Sequence, residues 1–291
     1  MNATSETEST KLGTLLGRTI GDIGIPPCPA ILSQINAEMS KDDPDPKYLD
    51  SIICSDVGLA AGLIALANSP FFGFRHRVRS VKEALQMLGL NIASRAIASL
   101  ILRKMFPPTP ALERFWDASA RIARLSGWLA QGRIGIKISP DEAYTFGLFR
   151  DCGIPVLLKR FDDYPETLKQ ANADKVLCFT AVEEASYPTN HAAVGCLLAQ
   201  AWWLPDDISL AIRQHHDYRL LEHSHLAKPS KMQGLIATAQ LAEHLLQKHS
   251  CLSQTEEWQK GGEICLHLLG IGEDELCAIH EESAAIVAGD T

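Results

Sequence analysis

The sequence predicts an all-α fold, and two patterns in the order of its residues carry that prediction. Apolar residues recur with the i, i+3, i+4, i+7 spacing of an amphipathic helix from one end of the chain to the other. Strict alternation of apolar and polar residues, which would indicate a half-buried strand, is almost absent. We therefore expect an N-terminal helical unit packed on a larger helical body.

Four helices are expected before a proline-rich segment at residues 107–110. They cover residues 30–39, 47–55, 57–67 and 81–105. Asp56 can cap the third helix, because its carboxylate can accept a hydrogen bond from an N–H group of the first turn. The fourth helix has the clearest apolar stripe and is expected to be one long, largely buried helix. It ends at Pro107, whose ring does not fit a helix interior.

Further helical patterns follow the prolines and form the larger body. They cover residues 111–131, 139–149, 153–161, 176–187, 191–203, 206–216, 231–249, 255–269 and 273–287. The second of them begins at Ser139 with a capping box, and Pro140 takes the first helical position. The expected organisation is a disordered tail (1–20), N-terminal helices (21–106), a helical body (111–250) and C-terminal helices packed on that body (251–291).

The overall composition is that of an ordinary globular protein. The chain has 291 residues, of which 46% are hydrophobic and 21% are charged. Its formal net charge of −8 repels a phosphate backbone, so nucleic acid is not expected as a partner. No run of about 18 apolar residues occurs, and the N-terminus lacks the basic start and apolar core of a signal peptide. No membrane partner is expected.

The eight cysteines never form a CxxC motif, and most of them lie in apolar stretches. This pattern predicts buried thiols in a reducing cytoplasm rather than zinc ligands or disulfides. We therefore expect a cytoplasmic protein. The adjacent Trp202 and Trp203 are expected to pack at a helix end, with a partner surface as the alternative.

The placement of histidines is the main sign of chemistry in the sequence. No glycine-rich phosphate loop and no HExxH or GxSxG motif is present. The candidate ligands are His191, the adjacent His215 and His216, and the earlier Asp151. Imidazole and carboxylate groups on facing helices are suitable ligands for a divalent metal ion.

Three ordered segments resemble the successive signatures of HDOD domains. They read IPPCPA at 25–30, DVGLA at 56–60 continuing to LANSPFFG at 66–73, and SVKEALQMLGL at 80–90. The resemblance continues through Phe115 and Trp116 and the segment 147–153 to His216. HDOD domains are similar to HD metal-dependent phosphohydrolases, including HD-GYP cyclic-dinucleotide phosphodiesterases, but generally lack the complete metal set. The resemblance therefore implies an HD-like helical body with a degenerate metal site.

The degenerate positions follow from a residue-by-residue match to the HD pattern. Where an HD hydrolase has its first metal-binding histidine, this chain has Ala118. At the histidine–aspartate doublet it has Arg150 and Asp151, and near the late aspartate it has Gln240. The later histidines match three residues of this chain, His191, His215 and His216.

Two interpretations of the remaining polar set stay open. Alanine cannot bind a metal and Arg150 carries a permanent charge, so the resemblance implies neither a two-metal hydrolytic centre nor a cofactor. The favoured interpretation is that Asp151 and the three histidines bond to one another and to Arg150, which compensates the charge. The alternative is that they hold one divalent ion. Neighbouring helical residues diverge by about 100°, so His215 and His216 can share an ion only at a helix end.

The function implied by the resemblance is that of a non-catalytic signalling module. Such a module acts by binding another signalling protein or a nucleotide in bacterial signal transduction. The rival interpretation is a metal-dependent phosphohydrolase with a reduced metal site. Arg75, Arg77 and Arg79 are candidate contacts for an anion or partner, although such a run is more often a solvated loop. A third, weaker interpretation is a nucleic-acid-binding regulator that uses these three arginines. The sequence leaves the oligomeric state open.

Overall fold

The structure is a computed structural model that describes residues 24–69, 72, 74, 76–222, 229–250 and 254–288. Every regular element in these residues is an α-helix. The helices are α1 (Ala30–Met39), α2 (Pro46–Cys54), α3 (Val57–Ala67), α4 (Val81–Leu88), α5 (Leu90–Lys104), α6 (Pro110–Leu129), α7 (Pro140–Phe149), α8 (Ile154–Arg160), α9 (Tyr164–Ala173), α10 (Phe179–Glu184), α11 (His191–Ala201), α12 (Asp206–Gln214), α13 (Tyr218–Glu222), α14 (Lys231–His249), α15 (Glu257–Leu269) and α16 (Glu273–Ala288). The all-α prediction is confirmed. The expected tail at residues 1–20 lies outside the described residues.

Helices α1 to α5 pack on one another and form the N-terminal unit. Three of these helices begin with a side-chain cap, because Asp45, Asp56 and Ser80 each accept a hydrogen bond from a backbone N–H of the first turn. The cap expected at Asp56 is therefore confirmed. Each helix turns an apolar face inward, as at Leu32 of α1 and Leu63 of α3, which are almost completely buried.

The prediction of one long helix over residues 81–105 was wrong. Gly89 interrupts it with a φ of 77°, a conformation that glycine adopts without strain. The chain bends by 120° between α4 and α5. The apolar stripe nevertheless continues across the break, because both helices pack against α3. Periodicity alone could not reveal the bend, because the apolar spacing continues on both sides of Gly89.

The larger body is built around α14, which contacts α6, α7, α12, α15 and α16. Leu235, Leu241 and Leu245 of this helix are fully buried. A capping box starts α14 at Ser230. The side chain of Ser139, where the sequence predicted such a box, makes no capping hydrogen bond.

The N-terminal unit joins the body mainly through α5 against α7. Two hydrogen bonds at Trp202, at the end of α11, reinforce the junction. The Trp202 indole donates to Pro26 O at 3.1 Å, and Asn36 Nδ2 donates to Trp202 O at 3.2 Å. The expected N-terminal unit packed on a helical body is therefore observed.

Two expectations about side-chain burial were wrong. Cys152, Cys196 and Cys265 are buried as expected, but Cys54 and Cys277 are exposed because they lie on outward helix faces. All seven described cysteines are free. Trp202 packs at its helix end as expected, whereas Trp203 is 60% exposed.

Within the described residues, no single helix is long and apolar enough to cross a membrane. Two consecutive pairs, α2 with α3 and α4 with α5, reach that length and composition only together, and they bend by 118° and 120°.

A pH dependence of stability arises where α14 packs on α15. His244 stacks on Trp258 with ring centroids 4.0 Å apart, and burial, with the nearby Lys248 and His280, lowers the pKa of His244 to about 4. The unfolded chain takes up a proton near pH 6.5 and the folded chain does not, so His244 lowers stability as the pH falls from 6.5 towards 4.

Replacing His244 by Phe is expected to remove this loss while keeping the ring stack. Because the ring is partly exposed, the unfolding free energy lost between pH 6.5 and 4.5 should shrink by only about 1–2 kcal/mol. Thermal unfolding at the two pH values measures the change, and His267→Phe, at an exposed site, is the control. Equal losses in the wild type and in His244→Phe would contradict the expectation.

Candidate functional site

Four side chains from three parts of the body converge on one point. Asp151 follows the end of α7, His191 is the first residue of α11, and His215 and His216 directly follow α12. Their ligand atoms all lie within 4.8 Å of one another. Because His215 and His216 follow the end of the helix, both rings can turn to the same side, and their centroids are 4.1 Å apart.

The distances within this cluster are short and centred on His191. His191 Nε2 lies 3.3 Å from His215 Nε2 and 3.2 Å from His216 Nε2. Asp151 Oδ1 lies 3.2 Å from His215 Nε2 and 3.5 Å from His191 Nε2. The three imidazoles are buried, and the Asp151 side chain is 19% exposed.

Each histidine is oriented by an acceptor on its other ring nitrogen. His191 Nδ1 is 2.7 Å from Glu183 Oε2, and His216 Nδ1 is 2.7 Å from Glu257 Oε2. His215 Nδ1 is 2.7 Å from the Ile212 carbonyl oxygen. An acceptor there requires an N–H at Nδ1, so a neutral ring directs its Nε2 lone pair into the cluster. This is the arrangement that orients metal-binding histidines in proteins.

The sequence interpretation missed both orienting carboxylates. Glu183 lies on α10 and is fully buried, and it also accepts hydrogen bonds from the Tyr164 hydroxyl and the His191 backbone N–H. Glu257 starts α15 and pairs with Lys260 at 2.5 Å. A glutamate on the buried face of a helix was the signal that could have identified either residue.

Arg150 occupies the other side of Asp151. Its Nε donates to Asp151 Oδ2 at 3.0 Å, and its Nη2 lies 2.8 Å from Glu243 Oε1. Its Nη1 reaches the Ala239 carbonyl oxygen at 3.5 Å. Arg150 thus lies against Asp151, as expected from the sequence, and Oδ1 of the same carboxylate faces the histidines.

Helix α14 contributes a carboxylate that the sequence interpretation did not name. The sequence match put the late ligand position at Gln240, which is buried on α14. The residue that meets Arg150 is Glu243, about one helical turn further on. When a helix is matched to a family pattern by residue order alone, without a local motif, the match can be out of register by a few residues.

The charges of Arg150 and Asp151 stabilise each other. Burial opposes the charge of Arg150, but the carboxylates of Asp151 and Glu243 more than offset this and raise its pKa. Burial likewise opposes the charge of Asp151, but Arg150 and hydrogen bonds with the histidines hold its pKa well below the usual range. Both groups are therefore ionised at neutral pH.

The surroundings shift the pKa values of two of the histidines in opposite directions. Burial opposes protonation of His191, but Glu183 and Asp151 raise its pKa to about 10. Burial and the neighbouring His215 lower the pKa of His216 to about 4, against the attraction of Glu257. Without a metal ion, the proton on His191 therefore supplies positive charge to the cluster at neutral pH.

A cleft of about 370 Å³ opens over this network. Arg150, Asp151, His216 and Glu243 contribute to its lining. The remaining lining includes the degenerate position Ala118, apolar side chains and the exposed cations Arg114 and Lys169. A ligand in this cleft would meet apolar walls, two exposed cations and a charged network.

The basic segment lies apart from the cluster. Arg77 and Arg79 are exposed on the N-terminal unit and do not line the cleft, and Arg75 lies outside the described residues. Backbone N–H of Arg79 donates to Glu83. The segment therefore stays a candidate contact separate from the histidine site.

The donor set could hold one divalent ion. Ligand atoms bound to one first-row ion at about 2.0–2.2 Å lie about 3.0–3.5 Å apart. The separations around His191 fall in this range, and all four ligand atoms lie within 4.8 Å of one another. Asp151, His191, His215 and His216 would hold the ion. A bound ion would act there as a Lewis acid or as a structural cross-link. A tetrahedral ion would have no open position, whereas an octahedral ion would have two.

Comparisons with known proteins agree with this architecture. The model of the HDOD domain family matches residues 25–218. An uncharacterized protein of Treponema pallidum is 26% identical over 242 residues, which cover 83% of this chain and 45% of that protein. The chain therefore matches less than half of that relative's length.

Solved structures from other bacteria share the fold. An HDOD domain protein of unknown function from Geobacter sulfurreducens superposes with a TM-score of 0.65 at 23% identity, covering 95% of this chain and 97% of that one. A protein from Shewanella amazonensis, provisionally named a phosphohydrolase, gives 0.67 at 22% identity, covering 93% and 94%. A protein from Marinobacter aquaeolei, provisionally named a signal transduction protein, gives 0.66 at 19% identity, covering 97% and 64%.

Proposed function

This chain belongs to the HDOD family, and from that premise we propose that it is a non-catalytic module of bacterial signal transduction that acts by binding a protein or nucleotide partner. The observation that carries the proposal is the position of Arg150 between Asp151 and Glu243. A guanidinium group supplies positive charge there but cannot accept a ligand lone pair as a metal ion does.

The proposal also rests on the ligands that a two-metal centre would need. Such centres hold two ions about 3.5–4 Å apart, and each ion needs its own donors. Arg150 engages Asp151 Oδ2 and Glu243, the carboxylate oxygens on that side, while Ala118 offers no donor atom. These contacts argue against two-metal hydrolysis and support the proposal of a non-catalytic module.

Binding is the function that the cleft over the network supports. Its volume of about 370 Å³ is in the size range of small-molecule sites, and its walls are largely apolar. Arg114 and Lys169 add positive charge in a protein with a net charge of −8. These features favour a partner that presents an anionic group together with apolar surface, such as a nucleotide or an acidic protein segment.

We expect no metal-dependent phosphodiesterase or phosphatase turnover. Wild-type protein supplied with Mn²⁺ or Fe²⁺ is assayed with a cyclic dinucleotide and with a phosphomonoester. The control is the triple variant with His191, His215 and His216 replaced by Ala, checked for helix content by circular dichroism. Equal rates support the proposal. Hydrolysis by the wild type alone would overturn it.

A second candidate is a metal-dependent phosphohydrolase with a single ion, and the convergence of three oriented histidines favours it. Under this candidate we expect about one ion per chain after exposure to Zn²⁺, Mn²⁺ or Fe²⁺, measured by elemental analysis. Glu183→Gln should weaken binding by about 10- to 100-fold, because Glu183 orients His191.

The matched control for metal binding is His267→Ala, an exposed histidine away from the cluster. An ion that binds without turnover is a structural part of the binding module, whereas an ion with turnover supports the hydrolase. If the wild type and His215→Ala had the same metal content, the hypothesis that this cluster binds one ion would be contradicted.

A further inference from the structure

A second cleft, of about 370 Å³, lies at the junction of the N-terminal unit and the body. Its wall includes Asn36 from α1, Asn91 and Arg95 from α5, and Trp203 after α11. It shares no lining residue with the cleft over the histidine cluster, so an inference about it goes beyond the proposed function.

Trp203 is held in an unusual backbone conformation. Its φ of 56° is in the left-handed region, which bulky residues avoid. The position ends α11, because Trp203 N–H donates to Gln200 O and Leu204 N–H donates to Ala199 O. Glycine commonly takes this position at a helix end. The helix end does not require an indole, yet the ring is 60% exposed and lines the cleft.

Arg95 lines the same cleft, and only some of its N–H groups donate to a protein acceptor. Its Nη1 donates to Thr145 Oγ1 at 2.8 Å, and that hydroxyl donates to Asp141 O at 2.6 Å. Among the described residues, no carboxylate lies within ion-pair distance of Arg95, and no protein acceptor bonds to its Nε or Nη2. The half-buried guanidinium is therefore anchored at one end and has free N–H groups at the other.

Two of the carboxylates that act electrostatically on Arg95 are paired with a lysine. Lys231 pairs with Glu142 and lies 2.5 Å from Asp207. Both carboxylates and Asp141 still act on Arg95 at longer range, so the local field does not favour a strongly anionic ligand at this point. A neutral group with hydrogen-bond acceptors fits Arg95 better.

We propose that this cleft binds a guanine base, which stacks on Trp203 and turns its O6 and N7 acceptors towards Arg95. Tryptophan rings bind bases by stacking, and guanidinium groups pair with the O6–N7 edge of guanine. The side-chain amides of Asn36 and Asn91 add donors and acceptors to the same wall. Adenine carries an amino donor where guanine carries O6, so this site distinguishes the two bases.

The test measures binding of guanosine and of adenosine by calorimetry. The wild type should bind guanosine more tightly than adenosine. Trp203→Asn should weaken guanosine binding by about tenfold or more, because the stacking ring is lost. Arg95→Gln should remove the preference for guanosine. Trp203→Phe, which keeps a ring, should retain binding.

Stability and a second site provide the controls. Asparagine tolerates the left-handed conformation better than tryptophan, so Trp203→Asn should have a Tm equal to or above that of the wild type. Ala118→Trp fills the cleft over the histidine cluster and should leave guanosine binding unchanged. The proposal is overturned by absent guanosine binding, by binding that is equal in the wild type, Trp203→Asn and Arg95→Gln, or by loss of binding in Ala118→Trp.

Discussion

Replacing Arg150 by Met is expected to lower the free energy of unfolding by about 3–5 kcal/mol. Arg150 is only 5% exposed, and its guanidinium pairs with Asp151 at 3.0 Å and Glu243 at 2.8 Å. Methionine fills much of the same volume but leaves these carboxylates without their cation in a site that water enters poorly. Urea unfolding followed by circular dichroism measures the loss.

Two comparisons isolate the effect of the buried charge. Adding Glu243→Gln to Arg150→Met should recover part of the stability, because one uncompensated carboxylate is removed. Arg103→Met breaks an ion pair with Glu113 in which both side chains are about half exposed, and it should cost less than about 1 kcal/mol. An Arg150→Met variant as stable as Arg103→Met would contradict a buried charge network.

Gly153→Ala is expected to destabilise the protein by at least about 3 kcal/mol, or to prevent folding. A Cβ atom at this position would lie 2.1 Å from His191 O and 2.8 Å from Gly195 N. Both atoms belong to the α11 backbone, which cannot yield as a flexible side chain would. Helix α11 must therefore move away from α8 and carry His191 with it.

The matched control is Gly272→Ala, at an exposed glycine where the nearest atom to a new Cβ is Glu275 Oε2 at 4.0 Å. Its stability should stay within about 1 kcal/mol of the wild type. The readouts are soluble yield and the urea midpoint. A Gly153→Ala variant that unfolds at the wild-type midpoint would show that α8 and α11 are packed less closely than described.

The fold class could be predicted because helical periodicity is a local property of the sequence. The apolar face that it defines is also the face that packs in the core. Helix α14, at Lys231–His249, appears with the bounds that the sequence predicts. The break at Gly89 escaped prediction, because the apolar stripe is continuous through it. Helices α9 and α13 were missed for different reasons. Helix α13 has only five residues, and α9 is mostly polar, so it has few apolar residues to define a helical period.

The candidate site was predictable only in part. Asp151 and the histidines were identified by residue type and by resemblance, and the structure brings them together. Glu183 and Glu257 reach the histidines from separate helices. A glutamate on the buried face of a helix signals a buried carboxylate, but it does not identify the side chain that the carboxylate contacts. Glu243 was missed because the register of α14 relative to Arg150 depends on how the helices pack.

The two oxygens of the Asp151 carboxylate face different positively charged or hydrogen-bonding groups, the histidines on one side and Arg150 on the other. Oδ1 faces His191 and His215, and Oδ2 accepts a hydrogen bond from Arg150. A cation drawn to one oxygen reduces the charge available to the other, so occupancy on the histidine side and the strength of the arginine contact are thermodynamically linked. Since Arg150 also touches α14 at Ala239 and Glu243, the Asp151 carboxylate connects the histidines, through one arginine, to the central helix of the body.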